Sequence, residues 1–211
     1  ATVTSTNLFN DGPNKGVFWN GKQSALDWKA YLGEDIDRKT PDEKGIYEDL
    51  PYTQGAEDFS MLYGERFFKM RTLVYPFIIP YVNKEERKGI QLNFENWLLG
   101  RGEGILLDDH DFGMFYTGKF IKVDTQDIEE YSMLIIKATF QAQPFKIGLV
   151  REGHHFIDEM NLAIDVFQKV FFEVSSERVI KLYNNSVTSI VPYFQVTGNL
   201  EIEIETDDVI V

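Results

Sequence analysis

Apolar and polar side chains alternate most regularly between residues 131 and 145. Successive side chains of a strand point to opposite faces of a sheet, so alternation predicts a strand that buries one face. The positions predicted to face inward are Leu134, Ile136, Ala138, Phe140 and Ala142. Phe140 is the largest of them and is predicted to anchor the core, and Pro144 is predicted to end the strand.

The apolar period changes after Asn83. The positions that repeat at i, i+4, i+7 and i+8 share one helix face, and they are Ile90, Phe94, Trp97 and Leu98. Asn83 followed by Glu86 is typical of a capping box at a helix start, and Gly100 suits a helix end. The spacing predicts a helix over 83–99 with Phe94 and Trp97 as core anchors.

Two more segments of the first half predict strands. In GVFWNGKQS, residues 16–24, a short apolar strand precedes Asn20-Gly21, which suits a tight hairpin turn. Residues 65–82 are rich in aromatic and β-branched side chains and predict one long strand, interrupted near Pro76 and Pro80. Prolines within a strand favour an edge or a bulge.

The last third of the chain predicts a second, smaller β unit. Residues 151–161 are polar and predict a linker. Four short apolar runs follow, with turn residues between them, at 167–174, 178–186, 189–199 and 200–205. The sequence therefore predicts an N-terminal domain over 1–148 and a partial or reduced C-terminal β-sandwich over 149–211.

Residues 33–60 follow neither pattern. This segment carries seven Asp or Glu before Gly55 and only scattered apolar positions. A loop of this length inside a compact domain is usually functional or disordered. If ordered, it is predicted to be an extended arm that packs on a neighbouring subunit through Ile36, Ile46, Tyr47, Leu50 and Tyr52.

A cluster of acidic residues and a histidine lies in LLDDHDFGMFY, residues 106–116. Asp108, Asp109, His110 and Asp111 are residue types that ligate metals or transfer protons. Asp and Gly between two apolar runs are also typical of a hairpin turn, because Asp bonds its own backbone and Gly accepts positive φ. No second ligand cluster is visible, so the prediction is a turn, with no metal and no catalytic residue; an enzyme using these four residues is the alternative.

The composition of the chain narrows the classes of chemistry and of binding partner that remain open. The chain has 211 residues, no cysteine and a formal net charge of −13. Without cysteine, no disulfide or thiolate chemistry is possible. The charge disfavours binding to duplex DNA or anionic membranes. The chain contains no run of 18 apolar residues, so no transmembrane helix is predicted. The first residues lack the pattern of a signal peptide.

An ordered series of short motifs resembles a known family. It begins with Phe18 to Ser24 and Pro51-x-x-x-Gly55, and continues through the strand from Arg71 and the helix ending in Trp97-Leu98. The later motifs are Leu106 to Asp109, Phe115-Tyr116 with Gly118-Lys119, Phe140-x-x-x-Pro144-Phe145, Tyr183-Asn184-Asn185 and Pro192-x-x-x-Val196-x-Gly198. Over roughly residues 16–200 the chain resembles the distal tail proteins of long-tailed bacteriophages and related prophage tails.

The resemblance implies a mainly β fold: a β-sandwich with one α-helix and an extended arm, then the smaller C-terminal, galectin-like unit. It implies a hexameric ring at the tail tip of the virion, made in the bacterial cytoplasm. The ring would join the tail tube protein to the baseplate hub, with a receptor-binding protein as a further partner, and would let DNA pass without binding it. The family pattern carries no catalytic residue and no cofactor.

Two expectations stay open beside this one. The residues after Gly148 are too few for a complete second sandwich, so sugar binding there is in doubt. A carbohydrate-binding module for host recognition is still the alternative function, with exposed aromatic side chains such as Tyr183 or Tyr193. If the chain forms a ring for DNA passage, part of the negative charge is predicted to line its bore.

Overall fold

The computed structural model describes residues 15–52, 54–62, 64, 66–111, 113–149, 171–184, 192–199 and 201–204. The fold is mainly β with one main helix, which confirms the predicted fold class. The ten strands of the described residues are Val17–Trp19 (β1), Lys22–Gln23 (β2), Tyr31–Leu32 (β3), Tyr47–Glu48 (β4), Glu57–Asp58 (β5), Arg71–Pro80 (β6), Gly104–Asp108 (β7), Met114–Ile128 (β8), Met133–Ala142 (β9) and Ile147–Gly148 (β10). The helices among these described residues are Ser24–Asp27 (α1), Lys84–Leu99 (α2) and the 3-10 turn Glu129–Tyr131.

Eight of the strands form one antiparallel sheet. Its order is β2-β1-β7-β8-β9-β6-β3, and β10 pairs with the start of β8. The longest ladders join β9 to β6 and to β8, with a bulge in β8 between Phe120 and Lys122. The sheet curves strongly, because Trp19 on β1 lies 5.6 Å from Phe140 on β9, ring centre to ring centre, although two strands separate them in the sheet.

The predicted alternation in β9 is observed residue by residue. The five positions predicted to face inward are buried, and those between them are exposed or half-buried. Helix α2 lies against this buried face, where Phe94 packs on Phe77 of β6 with ring centres 5.1 Å apart. Phe94, Trp97 and Phe140 all lie in the core. The inner face of the sheet is therefore the core of the domain.

Helix α2 begins and ends as its sequence predicts. The side chain of Asn83 accepts a hydrogen bond from the Glu86 amide at 2.8 Å, and Gly100 is the C-cap. Two tryptophans fix the helix to β1. The Trp19 indole donates to the Leu98 carbonyl at 3.3 Å, and the Trp97 indole donates to the Trp19 carbonyl at 3.1 Å. These bonds satisfy both buried indole groups, which burial would otherwise penalise.

The predicted long strand over 65–82 is shorter and unbroken. β6 covers only 71–80, runs through Pro76 and ends at Pro80, so the interruption predicted near Pro76 is wrong. The Pro76 carbonyl accepts from Gly33 on the side of β6 that faces β3. A residue's amide and carbonyl point the same way in an antiparallel strand. The missing donor of Pro76 therefore lies on the side where only the two-residue β3 pairs, and the main ladder to β9 is kept.

The predicted C-terminal strands fall partly outside the described residues. Within 171–184, 192–199 and 201–204 no strand is assigned, which corrects the prediction for those residues. An alternating segment becomes a strand only when another strand pairs with it and a surface covers its apolar face. Apolar side chains such as Val179 and Ile204 are exposed. The division into domains at 148/149 stays a prediction.

Candidate functional site

The segment predicted as an arm leaves the main sheet, and it extends further along the chain than predicted. An isolated bridge pairs Asp37 with Val74, and beyond it the chain leaves the main sheet. β4 and β5 then form a separate two-stranded hairpin, and a second bridge pairs Glu43 with Phe68. The returning chain joins the main sheet again at β6. Residues 38–70, with the gaps at 53, 63 and 65, are called the arm below.

The arm carries a dense set of exposed apolar side chains. Tyr47 is 63% exposed, and Tyr52 is fully exposed with a positive φ of 69°. Ile46 and Leu50 are exposed too, whereas Ile36 differs from the predicted set because it packs against the core. The sequence prediction ended at residue 60 and missed further exposed side chains, which are Met61, Leu62, Phe67 and Met70.

The root of the arm is fixed by a buried ion pair. The Asp108 side chain is fully buried at the end of β7, and its Oδ2 accepts from Nε of Arg38 at 3.0 Å and from Nη2 at 2.6 Å. Burial, the largest single effect, works to lower the pKa of the Arg38 guanidinium, but the charge of Asp108 and its hydrogen bond, with smaller contributions from Tyr75 and Asp111, together raise it. Removing one partner of such a pair leaves a poorly solvated charge behind. The contact therefore holds the base of the arm firmly.

Further contacts at the root involve Arg71 and Phe68. Arg71 donates to the Arg38 carbonyl at 3.2 Å and to the Pro144 carbonyl at 3.5 Å. The Phe68 ring packs edge-on against Phe145 with ring centres 5.2 Å apart. The returning segment is thus tied to the chain that follows β9, and Arg71 joins it to the segment that enters the arm.

The arm itself is held by a few polar contacts. Arg66 pairs with Glu43 across the arm, and this pairing lowers the pKa of Glu43. The hydroxyl of Ser60 accepts from the Ile46 amide at 2.9 Å. The Ser60 amide donates to Asp58 at 2.8 Å, and its hydrogen bonds lower the pKa of Asp58. A two-stranded hairpin is marginal without such support.

The acidic turn of the sequence is a turn in the structure, between β7 and β8. Asp109 accepts from the Gly16 amide at 2.8 Å and from the Gln23 amide group at 2.9 Å. Asp111 accepts from Lys146 at 2.8 Å and from the Tyr116 hydroxyl at 3.2 Å. Burial, and then the Asp111 charge, raise the pKa of Tyr116. Each carboxylate thus bonds a different part of the chain.

The remaining member of the turn, His110, lies 3.2 Å from Asp108, Nδ1 to Oδ1. No group of three or more His, Cys, Asp or Glu arranged to hold a metal occurs among the described residues. The turn residues do not converge on one point; they fix the N-terminal strand, the arm root and the segment after β9. Sequence reasoning could place this turn but not its partners, which lie 70 or more residues away for Arg38 and Gln23.

The aromatic residues named for sugar binding lie in the C-terminal stretches. Tyr183 and Tyr193 are both exposed, in described segments without helix or strand. Exposure alone does not form a sugar site, which needs polar groups placed around the aromatic face. The carbohydrate-binding alternative stays a prediction.

In the described part of the chain, no helix is long and apolar enough to cross a membrane.

Comparison with known proteins gives a likeness in fold to a solved structure. No family model and no curated protein sequence matches the chain. Among solved structures, the fold is similar to that of the SPP1 Dit (gp 19.1) protein, described as a paradigm of the hub adsorption apparatus in phages that infect Gram-positive bacteria. The TM-score is 0.53 at 12% sequence identity, over 64% of this chain and 52% of that one. The match thus covers about half of that protein, and at this identity it shows the fold alone.

Proposed function

We propose that this chain is a structural subunit of a phage tail tip. Copies of it form a closed ring, hexameric by resemblance, that joins the tail tube protein to the baseplate hub and lets DNA pass. A receptor-binding protein is a further partner. The chain works in the virion as a non-enzymatic, cofactor-free component.

The observation that carries this proposal is the exposed apolar surface of the arm. Monomeric proteins rarely display many large apolar side chains together, and such patches mark interaction sites. Tyr47, Tyr52, Met61 and Leu62 are all more than half exposed, while the arm root is fixed by the buried Arg38–Asp108 pair. A firmly rooted arm with an uncovered apolar surface is suited to packing on a neighbouring subunit.

An arm that packs on a different patch of the next copy makes a heterologous contact. Such contacts generate a ring when the rotation between copies closes. The fold likeness to a protein of a phage hub adsorption apparatus supports a structural role in a phage tail. The net charge of −13 adds a further expectation, because an acidic bore would repel the DNA that passes through it. A ring structure with a basic bore would contradict that part of the proposal.

The non-enzymatic part of the proposal rests on the acidic turn. Asp108, Asp109 and Asp111 each accept hydrogen bonds from groups of the fold itself. Carboxylates used in this way hold the structure together. We therefore expect Asp109→Ala to lower stability, through the lost bonds to Gly16 and Gln23, and to remove no activity. Detection of a metal-dependent hydrolysis that this variant abolishes would overturn this part.

The experiment is a measurement of native mass at several protein concentrations, with negative-stain images of the same samples. Six copies of the 24.4 kDa chain give about 146 kDa for a closed hexamer. The double variant Tyr47→Ser/Tyr52→Ser removes two exposed aromatic side chains from the arm. We expect it to shift assembly to at least tenfold higher concentration, since aromatic side chains contribute strongly to interfaces.

The matched control is Leu92→Ser on α2. Leu92 is 60% exposed on α2 and is not part of the arm, so this variant should assemble like the wild type. Equal loss of assembly in both variants would mean that the arm has no special part in it. Assembly of the arm variant at wild-type concentration would contradict the proposed role of the arm.

A further inference from the structure

The main sheet has a second face, opposite the core. The ladder registers place three strands side by side on it: Thr72, Val74 and Ile78 of β6, Ile135, Lys137 and Thr139 of β9, and Lys119, Lys122 and Asp124 of β8. These nine residues of β6, β9 and β8 are called the outer face below. Helix α2 packs on the opposite, inner face, where its Glu95 accepts a hydrogen bond from Thr125.

The outer face has a charge unlike that of the chain. Three lysines and one aspartate lie on it, Lys119, Lys122 and Lys137 with Asp124, and all four are exposed. Asp124 pairs with Lys122 at 2.6 Å, and the four side chains together carry a net positive charge. The chain as a whole carries −13. Toward the β8–β9 turn the face becomes apolar, with Met133 39% exposed and Ile135 half-buried. A basic area beside an apolar one is suited to a partner that is acidic and apolar.

The hairpin part of the arm, residues 42–58, has that composition, because it carries six Asp or Glu and one lysine, whereas the whole arm carries seven Asp or Glu and five Lys or Arg. Asp42, Glu48, Asp49 and Glu57 are exposed on it, close in sequence to the exposed Ile46, Tyr47 and Tyr52. The arm does not cover the outer face of its own domain, because these apolar side chains are exposed in the single chain. The bridge at which the chain leaves the sheet lies on β6, whereas Lys119 and Lys122 lie on β8, two strands further in the sheet order. Donor and acceptor are thus different patches of one chain, as a heterologous contact requires.

We infer that the outer face receives the arm of a second copy of this chain. Carboxylates of the arm pair with Lys119, Lys122 and Lys137, and the apolar side chains of the hairpin cover Ile135 and Met133. The inference rests on the proposed ring and names the surface that the arm contacts. The contact would neutralise the basic lysines, so the surface left exposed by assembly is more uniformly acidic.

The test is charge reversal on full-length chains. Lys119→Glu/Lys122→Glu/Lys137→Glu should raise the concentration needed for half-assembly about tenfold or more, because like charges then face each other. Adding Glu48→Lys/Asp49→Lys/Glu57→Lys should restore assembly to within about threefold of the wild type. The control Lys29→Glu/Lys88→Glu/Arg101→Glu changes the net charge equally at exposed sites elsewhere, and should leave assembly unchanged. Thermal unfolding of every variant verifies that each one folds.

Cross-linking gives a second readout. Isotopically light and heavy chains are mixed, and carboxylates are joined to lysines by a zero-length reagent. We expect light–heavy links between arm carboxylates and Lys122 or Lys137. A different result would be that the triple variant assembles as well as the wild type and that the arm carboxylates link to other lysines. That result would overturn the outer face as the receiving surface, while the proposed ring would stand. If light and heavy chains never link and only monomers form, both fail. Retention of DNA by the wild type but not by the triple variant, without arm links, would assign the lysines to nucleic acid and overturn the inference.

Discussion

The domain core and the arm use the same kinds of side chain in opposite ways. In the core, Phe77, Phe94 and Phe140 are fully buried between the inner sheet face and α2. In the arm, Tyr47, Tyr52 and Phe67 are exposed around a hairpin of two short strands. Buried aromatic surface stabilises the chain that contains it, whereas exposed aromatic surface stabilises only an assembly. The difference teaches which region folds the subunit and which region joins it to another.

The largest expected effect is on the core. Phe94→Ala would remove a ring that packs edge-on against Phe77 and Trp28 and beside Trp97. Loss of its burial and the cavity left behind should lower the free energy of unfolding by about 3–5 kcal/mol. Chemical denaturation followed by tryptophan fluorescence measures this. A loss below about 1 kcal/mol would mean that α2 is not packed on the sheet as described.

The next effect tests the boundary between the two regions. Asp108→Asn would neutralise a fully buried carboxylate and leave Arg38 without its charge partner. The free energy of unfolding should fall by about 1–3 kcal/mol, and amide exchange in residues 38–52 should speed up more than in β9. The control is Asp124→Asn, whose carboxylate is exposed on β8. Equal exchange in the arm and β9 would show that Asp108 does not fix the arm root.

The core was predictable because its signals are local. Alternation along β9 and the spacing of Ile90, Phe94 and Trp97 each describe one element and the face it buries. The Asn20-Gly21 turn was predictable for the same reason, since both residues take positive φ between β1 and β2. These elements follow from the chemistry of neighbouring residues.

The arm was predicted only in part, because its limits depend on contacts distant in sequence. Residues 61–70 are rich in apolar and aromatic side chains, as β6 is, and composition does not separate exposed apolar side chains from buried ones. The pair between Arg38 and Asp108 joins residues 70 positions apart. The C-terminal alternation predicted strands because a sequence pattern assumes a partner strand. None is assigned in the described residues after 149.

A smaller effect separates folding from assembly. Tyr52→Ser removes a fully exposed ring from the arm hairpin. The free energy of unfolding of the monomer should change by less than about 0.5 kcal/mol, because no buried surface is lost. The same substitution should still weaken assembly. Thermal unfolding at a concentration where only monomer is present gives the first quantity, and a loss as large as that expected for Phe94→Ala would erase the distinction between core and arm.

The smallest effect concerns the pH dependence of the arm alone. The hydrogen bond from Arg66 lowers the pKa of Glu43 below its ordinary value of 4.5. The hydrogen bonds from Ser60 lower the pKa of Asp58 below its ordinary value of 3.8. Because the carboxyl pKa is lower in the folded state, the ionised carboxylates stabilise the arm at pH values above their ordinary pKa. This contribution is lost as the pH falls through the folded value. Arm amide resonances should therefore lose dispersion below pH 4.5 while those of β9 keep theirs.

Glu43→Gln should weaken the arm at neutral pH and flatten this pH dependence. Glu130→Gln, at an exposed site outside the arm, should do neither. If β9 and the arm lose dispersion together, acid unfolds the whole domain and the arm is not a separately weakened region.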